Sequence, residues 1–326
     1  MHDTHVHLEM LLEKLKIIPS DSRKNSPQIL TKDQKMELEV LLKNHDFVIQ
    51  STVSWDNFGL VWKLFNEFDK IKFLFGTHPE LVDNDFEIER YLMEQKHFWE
   101  NWLEKNLNLT GLTAGKKIEN LAKLIGVGEI GLDYFYTQDS NLVQTQRKLF
   151  ESQIDLSLEI SQEIQQIRKT IADSIDKSEN LILGSEIKIN SHKKLPIIIH
   201  CRSAFDDLLA ILKNFPQVHN NFLIHCFTGD IDNLRQILDF GGVVAFGGIL
   251  TYKNAEKLRE AANFCPLSSL VLETDLPFLS PQSQRGQVCL PSFIQEIVDK
   301  LSEIKHVTPQ EIWQNSLQNT QNLFSL

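Results

Sequence analysis

The sequence predicts an α/β fold, a (β/α)8 TIM-type barrel with helical insertions, in a single domain over residues 1–326. Short apolar runs recur along the chain, and most of them end in a chemically active residue. Stretches with the amphipathic helical period follow them, and such alternation predicts a parallel sheet, open or closed into a barrel. With 326 residues, 42% of them hydrophobic and 24% charged, there is material for one large core. Barrels of this kind commonly exceed about 200 residues as one unit.

Taken in order, the first run is Asp3–His7. Glu9–Lys32, with Pro19, Pro27 and several Ser, reads as a loop. Phe47–Val53 and Ile71–Gly76 are the next strands, β-branched or aromatic and apolar throughout, as strands covered on both faces should be. Residues 80–120 are too long for a simple connection. They hold one or two helices over Phe86–Asn106, rich in Trp and Glu, and a Gly-rich break at Thr110–Gly115. Leu124–Ile130 is the fourth strand. Residues 141–194 open as a long polar helix and end in a mixed segment, Leu181–Lys194. The last strands are Leu195–His200, Phe222–His225, Val243–Phe246 and Leu270–Thr274. Between them, Leu208, Leu209, Ile211 and Leu212 form one helical face. Leu234, Ile237 and Leu238 form a second, closed by Gly241-Gly242, and Ala255, Leu258, Ala261 and Ala262 a third, closed by Pro266. The three long segments read as insertions on a barrel, because none has a core pattern of its own.

The net charge of −11 and pI near 5.5 exclude a nucleic-acid grip built mainly on neutralising many phosphates, which needs a basic surface. Any polyanion must instead be drawn by bound cations and a few local Arg or Lys side chains. Cys201, Cys226, Cys265 and Cys289 form no CxxC pair, which argues against a disulfide framework or a zinc finger and fits a reducing compartment. No basic region leads into an apolar run at the start, and no apolar stretch reaches the roughly 20 residues of a membrane span. A cytoplasmic protein without membrane or disulfide partners is expected.

The chemistry sits at the ends of the runs. In His5-Val6-His7, residues two apart on an extended chain face the same side, so one strand can offer two imidazoles to one ion. Glu129 lies between glycines at the end of an apolar run, where a buried carboxylate is costly unless it meets a cation. His200 and His225 each end an apolar strand, and neighbouring parallel strands would set the two rings side by side. Asp275 follows the last run; by itself it could equally cap the next turn. In a barrel, all these ends converge on one face. Four imidazoles and two carboxylates suit Zn, Mn, Fe or Co, and suit two ions sharing a carboxylate about 3.5–4 Å apart.

These motifs, in this order, resemble the TatD family of metal-dependent deoxyribonucleases within the amidohydrolase superfamily. The resemblance spans essentially the whole chain. It rests on Asp3-Thr4-His5-Val6-His7-Leu8, Gly76-Thr77-His78-Pro79, Gly128-Glu129-Ile130-Gly131-Leu132-Asp133-Tyr134 and His200-Cys201-Arg202. It continues through His225-Cys226-Phe227-Thr228-Gly229, Glu273-Thr274-Asp275-Leu276-Pro277 and Arg285-Gly286. It implies a distorted TIM barrel and two divalent metal ions (Zn, Mn, Co, Fe or Mg). His5, His7 and Asp275 would hold one, His200 and His225 the other, with Glu129 bridging and His78 and Arg202 near the substrate phosphate. It further implies hydrolysis of DNA from a 3′ end, single-stranded or frayed, with Asp275 and Glu129 as the catalytic carboxylates. Tyr134, Phe135, Phe227 and Phe278 are candidates to stack a terminal base. The pattern departs at Cys289, where the family usually has Asn. The segments 9–32, 80–120 and 164–194 exceed the usual family length and are candidates to cover the barrel mouth. Two other functions fit the same residues: an esterase or amidase such as an aminoacyl-tRNA deacylase, and a non-catalytic scaffold recruiting partners through its insertions.

Overall fold

The structure, a computed structural model, describes residues 1–19, 29–107, 114–137, 139–175 and 194–326. Its eight strands are β1 (His2–Val6), β2 (Phe47–Gln50), β3 (Ile71–Leu74), β4 (Leu124–Asp133), β5 (Ile197–Arg202), β6 (Phe222–Ile224), β7 (Val243–Phe246) and β8 (Leu270–Leu272). They lie in sequence order, and every neighbouring pair is parallel. The two edges meet just beyond β8. Val6 bridges Leu276, His7 N–H donates to Leu276 O at 2.9 Å, and Asp275 N–H donates to His5 O at 3.1 Å. The result is a nearly closed barrel, its register slipping at the β1–β2, β3–β4 and β4–β5 pairs.

Most strands stop before their apolar runs do. β2 ends at Gln50, and Ser51–Val53 then leave the ladder while still bonding across the rim: Ser51 N–H reaches Val6 O, and Thr52 O accepts from Glu129 N–H. Inside the barrel, Ile49, Leu74, Ile125, Ile198, Leu223, Ala245 and Val271 supply one side chain each from β2 to β8, packed with Leu323 and Phe324 from the end of the chain. This layer fills the interior, so the barrel is a packed core, with a cleft at its carboxyl end.

Gly131, toward the carboxyl end of β4, has φ of +145°, and a Cβ there would lie 2.0 Å from the carbonyl oxygen of His200. Only glycine lets β4 and β5 approach so closely. Gly131→Ala is expected to cost more than about 4 kcal/mol, within the range reserved for backbone clashes, and to lower the thermal midpoint accordingly.

The helices are α1 (Leu8–Lys14), α2 (Lys32–Leu41), α3 (Trp55–Phe65), α4 (Ile88–Leu107), α5 (Ala114–Lys123), α6 (Ser140–Ile175), α7 (Phe205–Asn214), α8 (Ile231–Asp239), α9 (Glu256–Phe264), α10 (Ile294–Lys305) and α11 (Pro309–Phe324). Two expectations need correction. Glu9–Lys32 is not simply a loop: α1 occupies its start and buries Leu8, Leu11 and Leu12, a helical spacing that the Pro and Ser content downstream masks. Residues 80–120 and 141–175 are more than insertions, because α4, α5 and α6 are the crossover helices after β3 and β4. Trp99, Trp102, Ile154, Ile160 and Ile164 place these helices in the main core, while the many Glu, Gln and Lys on their outer faces dilute the sequence signal. Most of the break at Thr110–Gly115 and of the mixed segment Leu181–Lys194 lies outside the described residues. Among the described residues, no helix is long and apolar enough to cross a membrane. The four cysteines are free thiols.

Candidate metal centre

The carboxyl rim of the barrel gathers side chains from six strand ends. β1 carries His5 and delivers His7 immediately after it, and the alternation of an extended chain turns both rings inward, with their Nε2 atoms 3.3 Å apart. Glu129 stands within β4 and is the hub. Its Oε2 lies 3.1 Å from His5 Nε2 and 3.7 Å from His7 Nε2. Its Oε1 lies 2.8 Å from His200 Nδ1 (β5), 2.9 Å from His225 Nε2 (just after β6) and 3.3 Å from His78 Nε2 (after β3). Asp275, three residues beyond β8, adopts φ of +57°, a left-handed conformation uncommon outside glycine and concentrated at functional sites. Its Oδ1 stands 3.7 Å from His7 Nε2 and 3.9 Å from His5 Nε2.

Burial makes this cluster electrostatically tense. It would push the Glu129 carboxyl up, but the facing rings of His225, His78 and His5 outweigh it and hold the group well below the usual carboxylate range. Burial likewise opposes charge on His225, yet the carboxylates of Glu129 and Glu273 raise it well above an ordinary imidazole. His5 and His7 go the other way: burial lowers both, reinforced by His225 on His5 and by His5 on His7. Burial lifts Asp275 to about 8, with Glu129 and Glu273 adding to it and His225 opposing. His5, His7 and His225 each keep a buried Nδ1 with no hydrogen-bond partner, and Glu273 keeps a buried Oε2 likewise. Close-set imidazoles around an ionised carboxylate, with orphaned polar atoms beside them, are what a divalent cation would satisfy. Among the described residues, His5, His7 and Glu129 form one group whose ligand atoms all lie within 4.8 Å of each other; His78, Glu129 and His200 form another.

The cluster forms the floor of a cleft of about 1060 Å³. Arg202, at the end of β5, lines it with its guanidinium 3.6 Å from the centre of the Phe135 ring and 5.1 Å from that of Tyr136. His78 Nδ1 accepts from Glu80 N–H at 3.1 Å, which fixes the ring orientation. Met10, the turn at Glu80–Asn84, and Leu142 and Gln146 of α6 border the cleft, so parts of the long segments wall its mouth. Of residues 164–194, those described take no part in the lining.

Among the aromatic candidates, Phe227 is a correction. It is 2% exposed and packs edge-on against Phe205 and Phe246, because its side chain points behind the rim. Tyr134 is half-buried and donates its hydroxyl to Asp207 at 2.9 Å. Phe135 and Phe278 remain exposed at the rim. So does Tyr136, which the sequence did not single out and which is 82% exposed. Cys289 is buried behind the Asp275 turn, its backbone N–H on Pro277 O and its Sγ 3.9 Å from Thr274 O.

Three further acids support the site. Asp133 places Oδ2 3.2 Å from His200 Nε2 and accepts from Phe135 N–H. Asp3 takes the Thr274 hydroxyl and both the Thr274 and His5 N–H groups, tying β1 to the chain beyond β8. Glu273 accepts from Cys226 N–H at 2.6 Å and stands 3.3 Å from His225 Nδ1. All three lie inside the motifs already noted, but their roles depend on contacts between strands far apart in sequence.

A family model described as TatD related DNase matches residues 2–165 and 172–325. The uncharacterized metal-dependent hydrolase YcfH of Escherichia coli is 27% identical over 263 residues, 81% of this chain and 77% of its own length. The human 3′-5′ RNA nuclease TATDN2 is 27% identical over 99% of this chain, in an alignment that takes up 35% of that longer protein. In fold, the chain is similar to the crystal structure of YjjV, a TatD homologue from Escherichia coli, with a TM-score of 0.66 and 22% identity over 100% of this chain and 98% of that one.

Proposed function

The chain belongs to the TatD-related DNase family of metal-dependent hydrolases, and on that premise we propose that it removes nucleotides from the 3′ end of single-stranded or frayed DNA by hydrolysing phosphodiester bonds. The observation that carries this reading is the convergence of four imidazoles from four separate strand ends on the two oxygens of Glu129, at 2.8 to 3.3 Å. His5, His7 and Asp275 would hold one divalent cation and His200 and His225 a second, with Glu129 shared between them. Bound there, the cations supply positive charge to the phosphate oxygens and lower the pKa of an attacking water. Asp275, beside His5 and His7, orients that water and takes its proton. Arg202, its guanidinium over the Phe135 ring, presents its N–H groups to a phosphate oxygen pair. His78 holds the phosphate or the leaving oxygen through Nε2. In a chain of net charge −11, these few groups imply a short footprint.

A second reading, RNA as the polymer, is favoured by the human relative, a 3′-5′ RNA nuclease. The test uses matched single-stranded DNA and RNA oligonucleotides, labelled at either end, together with an aminoacyl ester. Mononucleotide release from the DNA 3′ end supports the proposal. Release from RNA alone would move the assignment to RNA, and ester turnover without nucleotide release would reject both. Chelation is expected to abolish turnover, and Zn, Mn, Co, Fe or Mg to restore it to different degrees. Arg202→Lys is expected to raise KM about tenfold while changing kcat little, because a point charge replaces a planar fork that binds the phosphate before and during reaction.

A further inference from the structure

Glu273 is completely buried, and no Lys or Arg is paired with it among the described residues. A carboxylate so placed is costly unless something cationic or strongly donating faces it. One oxygen takes the Cys226 N–H and lies 3.3 Å from His225 Nδ1, and the other has no partner. Two buried imidazole nitrogens of the same cluster, Nδ1 of His5 and Nδ1 of His225, have no hydrogen-bond partner either. The three residues each present a ligand atom within 4.8 Å of the other two. The rings of His5 and His225 lie face to face, 3.8 Å between centroids and 20° from parallel, and both direct Nε2 at Glu129. Two stacked imidazoles therefore turn Nε2 to one carboxylate, Glu129, while a second, Glu273, faces Nδ1 of His225 and lies within 4.8 Å of a ring nitrogen of His5.

We propose that Glu273 is a positioning residue shared by both cation sites: it accepts hydrogen bonds from the Nδ1–H groups of His5 and His225 and so leaves the Nε2 lone pairs of both rings free for the cations. A histidine that ligates through one nitrogen has its tautomer set by the partner of the other. Here one carboxylate serves a ligand of each cation, so the two sites load as a unit. Asp133, which touches His200 alone among these rings, provides the contrast within the same protein. The inference rests on the ligand assignment proposed above.

The test is titration of Co(II) and of Zn(II) into metal-free wild type, Glu273→Gln and Asp133→Asn, followed by Co(II) absorption and by metal content after gel filtration. The wild type is expected to take two equivalents. Glu273→Gln, nearly isosteric and still able to accept from Cys226 N–H, is expected to weaken both binding steps by about 10–100-fold and to alter the absorption of both cobalt ions. Asp133→Asn is expected to shift one step only. If Glu273→Gln loads two equivalents with wild-type affinity, or loses only one, the shared role is overturned while the cation sites stand. If the wild type itself takes up no cation, the ligand assignment falls and this inference with it. Should the glutamine variant fail to fold, Glu273→Asp keeps the charge but shortens its reach, and the same weakening of both steps is expected.

Discussion

Glu129→Ala is expected to leave a protein that retains neither cation through gel filtration and releases nucleotides at least about 10³-fold more slowly than the wild type. Removing one partner from a buried charged set costs roughly 3–5 kcal/mol, or two to four powers of ten in occupancy. Glu129 lies within 3.3 Å of rings assigned to both cations, so the loss falls on both sites. Loss of a single ring, as in His7→Ala, should reduce one occupancy and spare the other. Measuring metal content beside turnover separates the two patterns. Near-normal activity in Glu129→Ala would remove the bridging role.

Asp275→Asn is expected to lower kcat by about 10²–10⁴-fold with a much smaller change in KM, and to keep the cation of His200 and His225. The same substitution should stabilise the metal-free protein. Burial lifts the Asp275 carboxyl from an ordinary 3.8 to about 8 in the folded chain. Between those values the unfolded chain has released the proton while the native chain retains it, so stability contributed below pH 4 is lost as the pH rises toward 8. Asparagine has no proton to lose, and the metal-free variant should melt above the wild type by a margin that widens from about pH 4 to pH 8. A margin that narrows over that range would show that Asp275 is not held protonated in the absence of cations. A residue that weakens the empty site and is needed for the filled one is what a stability–activity trade-off predicts.

Individual elements show how far the sequence carries. His5 and His7 are legible because the two-residue period of a strand is local and needs no partner to interpret. β5 and β6 are legible because runs such as Ile197–Ile199 are apolar on both faces. α4 and α6 are obscured, since among their described side chains many face solvent and scattered residues such as Trp99 and Ile160 meet the core. Phe227 follows the cluster residue His225 at a period of two but turns behind the rim after the left-handed Cys226 at φ +44°. A run of letters does not record that turn.

The sequence alone predicted alternating strands and helices in a parallel barrel-type sheet, one rim on which the strand ends meet, and candidate residues that the structure gathers there. Each of these follows from local periodicity and from the rule that parallel strands joined by helices expose their carboxyl ends together. Only the tertiary structure decided which acid serves which ring. Asp133 pairs with His200, Glu273 stands 3.3 Å from His225, and Asp3 ties the first strand to the chain beyond the last, because curvature and register bring together groups that lie tens to hundreds of residues apart. Hydrogen bonding is short-ranged and directional, so that pairing is set by the closure of the barrel and cannot be read along the chain.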